Sequence, residues 1–169
     1  MQFNVADLLK DTTGATREHD IDESVDVDGQ PRMLTGRVRF DRTHDGILVR
    51  AVLRGEEDAM CSRCLRPLSY AIEVAFDEQY IPMIDIISGA KITPPEGDDD
   101  AYRISERHML DLGEPIQQYW AMSRPMAPLC RPDCPGLCPI CGSEALEGHA
   151  CAPDTADERW SKLRNLKLG

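Results

Sequence analysis

Apolar and polar residues alternate along the central part of the chain, and an alternation with a period of two predicts half-buried β-strands. Residues 33–54 predict a β-hairpin whose tight turn, ending in Asp-Gly, lies at 43–46. Residues 47–53 are its return strand, and a third strand is expected to lead into Cys61 after a short charged break. The longest alternating run, 68–83, predicts another strand, so Cys61 opens a turn between two strands.

Shorter patterns extend the predicted sheet. The apolar segment 3–9 and the stretch 21–27, in which acids alternate with Ile and Val, are candidate edge strands. Residues 88–100 are rich in Pro, Gly and acids and show no periodicity, which indicates a loop. Residues 102–104 are expected to form a short strand that joins the sheet again.

Two helices are predicted in the C-terminal part of the chain. The first opens at Asp111, because Asp-x-x-Glu is a capping box, and it ends at Pro125. The second covers residues 154–169, where Trp and Leu residues recur at helical spacing. Both apolar stripes are interpreted first as packing surfaces.

The predicted fold class is therefore α+β: an antiparallel β-sheet domain with a C-terminal helix pair and a Cys-rich zinc-binding segment. A chain of 169 residues has room for one domain with a core and a small appendage. The expected organisation is a β-rich domain at 1–128 with one helix at about 111–124, a zinc-binding segment at 129–152 packed on it, and a C-terminal helix at 153–169.

Cysteine spacing is the most specific chemical signal in the sequence. Two Cys-x-x-Cys pairs place thiolates on tight turns, where both thiolates of a pair can bind one tetrahedral metal ion from the same side. The candidate metal ligands are Cys61, Cys64, Cys130, Cys134, Cys138, Cys141, His149 and Cys151. Eight ligands are enough for two closed sites of four, so two structural Zn2+ ions are expected.

Other uses of the cysteines fit the sequence less well. Disulfides need an oxidising compartment, and the first 14 residues contain no apolar run of signal-peptide length, so a cytoplasmic location is expected. A thioredoxin-like pair needs only one Cys-x-x-Cys beside a βαβ pattern, and iron–sulfur clusters space their cysteines differently. Reduced cysteines without metal are the plainest alternative to zinc.

Loop length predicts how the eight ligands divide between two sites. Cys138 and Cys141 have His149 and Cys151 a short loop away, so closing that site costs little chain entropy. The other four cysteines would then form a second site across a long gap in the sequence. The alternative is a single ribbon that uses the two Cys-x-x-Cys pairs together.

The net charge of −11 argues against general nucleic-acid binding, because attraction to phosphates supplies most non-specific affinity. The charge is uneven, however: residues 32–66 hold eight arginines against five acids, whereas acids concentrate at 18–28. Arg37, Arg39 and Arg42 of the predicted hairpin are therefore candidate RNA contacts. The alternative, which we favour, is that these arginines pair with neighbouring acids on a solvated sheet face.

No catalytic pattern accompanies these features. His19, His44 and His108 have no partner at catalytic spacing, and a phosphate loop or nucleophile elbow does not occur in the sequence. A metal ion whose four positions are filled by Cys and His has no place for a reactive water. The chain is therefore expected not to be an enzyme.

The order of motifs along the chain resembles that of the YceD family, the large ribosomal RNA subunit accumulation proteins. The matching motifs are CSRCL at 61–65, DLGE at 111–114, PMAPLC at 125–130, CPGLCPICG at 134–142 and DERWSKL at 157–163. The resemblance spans nearly the whole chain. Where many relatives have Cys-x-Cys, this chain has His149 and Cys151, and imidazole can replace thiolate as a tetrahedral zinc ligand.

The resemblance implies a bacterial ribosome-biogenesis factor that supports 23S rRNA accumulation and large-subunit assembly without catalysis. The partners it implies are components of the large-subunit precursor: a basic ribosomal protein, 23S rRNA, or both. A membrane or a small-molecule substrate is not expected. The alternatives are a zinc-ribbon adaptor for another complex, such as the transcription machinery, and a metal-dependent RNA-processing enzyme.

Overall fold

The computed structural model describes residues 1–93, 101–143 and 149–151. Its elements are β1 (Gln2–Asn4), α1 (Ala6–Lys10), β2 (Thr16–Val27), β3 (Gln30–Arg42), β4 (Ile47–Met60), β5 (Pro67–Pro82), β6 (Tyr102–Ile104), β7 (Met109–Asp111) and α2 (Gly113–Ser123). Strands β2 to β6 form a five-stranded sheet in that order, and β1 and β7 form a separate pair. The described part of the chain is thus mostly β-sheet with few helices.

The predicted hairpin is confirmed by β3 and β4, which pair antiparallel with Phe40 opposite Val49. The turn between them is closed by the N–H of Thr43, which donates to the carbonyl of Gly46 at 3.0 Å. Gly46 is required by space, because a Cβ there would lie 1.9 Å from the carbonyl oxygen of Tyr80. The alternation predicts these strands correctly because their inner face is buried: Val38, Phe40, Val49 and Leu53 are at most 1% exposed.

Strand β4 does not break at its charged segment, so the expected separate third strand is wrong. The side chain of Glu57 is buried, and its carboxylate accepts a hydrogen bond from Nε1 of Trp120 at 2.7 Å. Arg32 and Arg124 lie 3.7 and 3.4 Å from the same carboxylate. A buried charge with these partners is tolerated inside the sheet, and the strand continues through it.

The long strands β5 and β2 are also confirmed. β5 corresponds to the strand predicted from the alternating run at 68–83. β2 is the expected edge strand and is longer than predicted, with 12 residues. β6 is the predicted return to the sheet and pairs parallel with β5, with Tyr102 opposite Tyr80. The buried side chains of the sheet pack with those of α1 and α2, among them Ile116 and Trp120, in one core.

Two local predictions are wrong. Segment 3–9 is not an edge strand throughout, because α1 begins at Ala6; Val5, Leu8 and Leu9 are buried at the spacing of one helix face. Helix α2, the first of the two helices predicted in the C-terminal part of the chain, begins at Gly113 rather than Asp111. Asp111 belongs to β7, and its Oδ1 accepts the N–H of Gly113 at 2.8 Å, so it does not form the expected capping box.

Part of the predicted architecture lies outside the described residues. This holds for the C-terminal helix at 153–169, the second member of the predicted helix pair, and for residues 94–100 of the loop predicted at 88–100. None of the helices in the described ranges is long and apolar enough to cross a membrane.

Contacts between Cα atoms divide the chain into two compact units. The first comprises Met1–Asp58 and Ser69–Met126 and contains most of the sheet. The second comprises Ala59–Leu68 and Ala127–Gly169 and contains all seven cysteines. The Cys-x-x-Cys turn after β4 therefore belongs with the Cys-rich C-terminal region.

Candidate metal centres

A tight turn after β4 positions the first Cys-x-x-Cys pair. The N–H of Cys61 donates to the carbonyl of Arg66 at 2.8 Å, and the N–H of Leu65 donates to the carbonyl of Cys61 at 2.9 Å. Leu65 has a left-handed backbone with φ of 59°. These bonds close a turn of six residues, 61–66, in which the thiols of Cys61 and Cys64 face the same side.

The second Cys-x-x-Cys pair repeats this turn. The N–H of Cys138 donates to the carbonyl of Ser143 at 2.7 Å, and the N–H of Gly142 donates to the carbonyl of Cys138 at 2.9 Å. The residue after the second cysteine is again left-handed, with φ of 71° at Gly142. The two turns therefore have the same hydrogen bonds at the same sequence spacing, and we call them the first and second knuckles.

The first knuckle faces two more cysteines. We call Cys61, Cys64, Cys130 and Cys134 the first group. The Sγ atoms of Cys61 and Cys134 are 3.8 Å apart, and those of Cys64 and Cys130 are 3.7 Å apart. Zn–S bonds of about 2.3 Å in a tetrahedron place sulfur atoms about 3.8 Å apart, so these spacings match one shared ion.

The second knuckle faces His149 and Cys151, which complete the second group of Cys138, Cys141, His149 and Cys151. The Sγ atoms of Cys138 and Cys151 are 3.5 Å apart. Nε2 of His149 lies 3.3 Å from Sγ of Cys141 and 3.1 Å from Sγ of Cys151. Within each group all four ligand atoms lie within 4.8 Å of one another, so each group could hold a metal ion.

The two groups differ in how deeply they are buried. In the first group Cys130 is exposed, but Cys61, Cys64 and Cys134 are at most 5% exposed, and Leu68, Leu129 and Leu137 pack against these three. In the second group Cys138 is buried, whereas Cys141 and His149 are exposed. Three of the four cysteines of the first group thus belong to a small apolar core, whereas the second group has one buried cysteine.

In the first group, thiols have pKa values shifted in opposite directions. The backbone N–H groups of Cys130 and Cys64 lower the pKa of Cys61 to about 6. Desolvation, and then hydrogen bonds to Cys134 and Cys64, raise the pKa of Cys130 to about 12. The first knuckle thus favours thiolates, whereas Cys130 favours the protonated thiol, and a divalent cation would stabilise the thiolate form of both.

The second group shows the same contrast. The backbone N–H of Ser143 lowers the pKa of Cys141 to about 6. Hydrogen bonds to Cys141 and Cys138 raise the pKa of Cys151 to about 12. Hydrogen bonds to the cysteines of the knuckle raise the pKa of His149. A cation bound by this group would again displace the protons of these side chains and stabilise the thiolates and the neutral imidazole as ligands.

The structure separates the ligands as loop length predicts. It brings Cys61 and Cys64 to Cys130 and Cys134, and it keeps the second knuckle with His149 and Cys151. The alternative of one ribbon built from the two knuckles does not occur. All seven cysteines are free thiols, so no disulfide competes with metal binding.

The candidate RNA contacts are engaged in other bonds. Arg37 donates through Nε to Asp20 at 3.2 Å, and Arg39 donates through Nε to Asp41 at 2.7 Å. The guanidinium of Arg42 donates to backbone carbonyls around the hairpin turn, that of Gly46 at 2.9 Å among them. In the structure all three side chains therefore pair with neighbouring carboxylates or backbone carbonyls.

Sequence reasoning missed the cluster around Glu57. Glu57 is 8% exposed, and its carboxylate lies between Trp120, Arg32 and Arg124. Arg124 also donates a hydrogen bond to the carboxylate of Asp28 at 2.7 Å. Its partners come from two parts of the chain that are far from it in sequence. A charged segment inside an alternating pattern was the only local signal, and that signal also fits a loop.

The fold and the ligand groups define the class: a mostly β protein with two knuckle-based groups of four Cys and His side chains that could bind metal. Within this class the family is shown by sequence. The chain belongs to the YceD family, because the family model described as large ribosomal RNA subunit accumulation protein YceD matches residues 49–167. This confirms the resemblance carried by the cysteine motifs.

Several curated proteins are similar to the chain. An uncharacterized protein of Mycobacterium tuberculosis strain H37Rv is 29% identical over 134 residues, which cover 79% of this chain and 62% of the relative. An uncharacterized protein of Mycobacterium leprae is 27% identical over 129 residues, covering 76% of this chain and 57% of the relative. The chain thus spans about three-fifths of the length of the curated relatives it matches. No solved structure matches the chain.

Proposed function

We propose that the chain is a non-catalytic, zinc-stabilised factor of ribosome biogenesis that supports 23S rRNA accumulation and large-subunit assembly by binding. The family match carries this proposal, because residues 49–167 include both knuckles and every ligand of both groups. The family is described as large ribosomal RNA subunit accumulation proteins. The proposal therefore connects that role with the part of the chain that holds the candidate metal centres.

Zinc is the metal that suits these donors. The first group offers four sulfur atoms, and the second offers three sulfur atoms and one imidazole nitrogen. Both are donor sets of closed structural zinc sites. A filled tetrahedron leaves no position for water or substrate, which supports a structural rather than a hydrolytic role. In the first group the ion would tie residues 61–64 to residues 130–134 and so link two distant parts of the chain.

The proposed mode of action is association with components of the large-subunit precursor. With a net charge of −11, the chain has the electrostatic character to bind a basic ribosomal protein. Contact with 23S rRNA through Arg37, Arg39 and Arg42 would require these side chains to exchange their present partners for phosphate. We therefore place a basic ribosomal protein first and direct RNA contact second.

Sedimentation of a bacterial lysate tests this proposal. The tagged protein should sediment with precursors of the large subunit and be absent from mature ribosomes, and its depletion should lower 23S rRNA relative to 16S rRNA. Cys64→Ser should fail to restore the 23S level, whereas Ser62→Ala should restore it, because the Ser62 side chain is exposed and is not a ligand. Unchanged rRNA on depletion, with sedimentation alongside another complex such as RNA polymerase, would favour the adaptor alternative.

A further inference from the structure

Strand β2 ends the sheet and leaves one long edge open. It pairs with β3 through twelve residue pairs, from Thr16 opposite Asp41 to Val27 opposite Gln30. Among the described residues, no strand pairs with its other side. Every second residue of an antiparallel strand turns its N–H and C=O away from its partner, so about six residues of β2 offer main-chain donors and acceptors to a further strand.

The side chains of β2 restrict what can occupy that edge. The strand and the turn after it carry six acids and one base. The acids are Glu18, Asp20, Asp22, Glu23, Asp26 and Asp28, and the base is Arg17. All acids within the strand are exposed, and Arg17 already pairs with Asp11 at 3.1 Å. The open edge is therefore strongly negative.

The acids of β2 are only partly neutralised by β3. Asp20 lies 3.2 Å from Arg37, and Glu18 lies 3.9 Å from Arg39. Within the described part of the chain, Asp22 and Glu23 have no ion-pair partner. Main-chain bonding capacity and unpaired negative charge thus coincide along one edge.

The paired side of β2 shows which kind of strand suits it. In β3, arginine alternates with apolar residues, and Arg37 and Arg39 stand directly opposite Asp20 and Glu18. We propose that the open edge of β2 binds an extended basic segment of a partner protein, in which Lys or Arg alternates with apolar or uncharged residues. Such a segment would add a strand to the sheet and place its cations beside Asp22 and its neighbours.

A second copy of this chain does not fit the same edge. Pairing β2 with β2 would bring its acids against acids, and like charges directly opposite each other destabilise a strand pair. The inference deepens the proposed function, in which a basic protein is the first-placed partner, but it rests on the sheet edge and holds whichever complex the protein serves. β2 also lies outside residues 49–167, the part of the chain that the family model matches.

The test uses the full chain and a synthetic ten-residue peptide in which Lys alternates with Val or Thr. Amide hydrogen exchange and NMR titration should show protection and shifts confined to residues 16–27 and the turn after them. A peptide of the same composition with its lysines in one block should bind at least several-fold more weakly, as should the alternating peptide with N-methyl groups on every second amide.

Charge variants identify the site. Asp22→Asn with Glu23→Gln should raise the Kd of the alternating peptide about three- to five-fold, because Asp22 would lose an exposed charge pair and Glu23, on the opposite face of the strand, would lose only a longer-range attraction. Asp45→Asn with Glu106→Gln removes the same charge from exposed acids elsewhere and should change Kd less than two-fold. This matched control separates contact at the edge from attraction to an acidic protein.

Several outcomes would overturn the proposal: no binding of the alternating peptide at millimolar concentration, equal weakening by both double variants, or binding without protection of β2 amides. Dimerisation through β2 would do the same. In the case of no binding, the acids of β2 would serve only to keep sheet edges of different copies apart. None of these results would bear on metal content or on 23S rRNA levels, so the proposed function would stand or fall separately.

Discussion

Replacing Cys64 by serine should destabilise the chain more than replacing Cys141, although each change removes one ligand from a group of four. Cys64 and its neighbour Cys130 are 66 residues apart in sequence, whereas Cys141 and His149 are 8 apart. A metal ion in the first group would therefore close a loop that contains β5, β6, β7 and α2. In the second group it would close only a local loop.

The difference can be given a magnitude from chain entropy. Treating each ion as a cross-link, closure of a 66-residue loop stabilises the folded state by about 4 kcal/mol, and closure of an 8-residue loop by about 2.5 kcal/mol. For a chain of this length, about 4 kcal/mol corresponds to a fall in Tm of roughly 10 °C. Cys64→Ser also leaves the buried thiols of Cys61 and Cys134 without a cation, which increases the loss.

The loss of stability in each variant can be measured by thermal and urea denaturation followed by far-UV circular dichroism, and the zinc content by mass spectrometry. We expect two zinc ions in the parent chain and in Ser62→Ala, and one in each cysteine variant. Tm should fall by roughly 10 °C for Cys64→Ser and by clearly less for Cys141→Ser. Equal losses for both, or a Cys64→Ser variant with two zinc ions and an unchanged Tm, would refute the cross-link reasoning.

Three further predictions concern other parts of the chain. Arg37→Gln combined with Arg39→Gln should change the free energy of unfolding by less than about 1 kcal/mol from that of the parent chain, because both side chains are exposed and surface ion pairs contribute little. If the two arginines contact RNA, the salt dependence of ribosomal association should flatten by about one unit of slope per lost phosphate contact. Unchanged association at every salt concentration would show that they are ordinary surface charges. Glu57→Ala should lower the free energy of unfolding by about 3 kcal/mol in urea titrations, because it leaves the Trp120 N–H and two arginines without their shared partner; a loss below about 1 kcal/mol would contradict this. Leu65→Gly should maintain or raise stability by up to about 1 kcal/mol, since Leu65 is left-handed and 55% exposed, and a loss larger than about 1 kcal/mol would mean that its side chain packs in solution.

The parts of the fold that were predictable are those decided by short-range pattern. β3 and β5 follow from alternation because one face of each is buried, and period two then fixes which residues point inward. The division of the cysteines follows from loop length, since His149 and Cys151 are too near the second knuckle in sequence for a distant pairing to compete. Knuckle geometry is also local, because its hydrogen bonds join residues at most five apart.

The parts that were missed depend on residues far apart in sequence. The continuation of β4 through its charged segment requires Trp120 and Arg124, which lie more than sixty residues after Glu57. No local pattern reveals such partners. α1 was missed because its three apolar positions fit a short strand as well as one helical turn, and only packing against the core decides between them.

The charge distribution favours a basic partner over RNA. The arginines of the sheet face, Arg37, Arg39, Arg50 and Arg54, each lie within 4 Å of a carboxylate, so they create little positive potential. Two bound zinc ions would add about three negative charges relative to neutral thiols, which makes a chain of net charge −11 still more acidic. RNA and a basic protein then respond in opposite ways to the loss of acids. Removing Asp22 and Glu23 would weaken binding to a basic segment and would strengthen any binding to RNA, so the sign of that single change distinguishes the two kinds of partner.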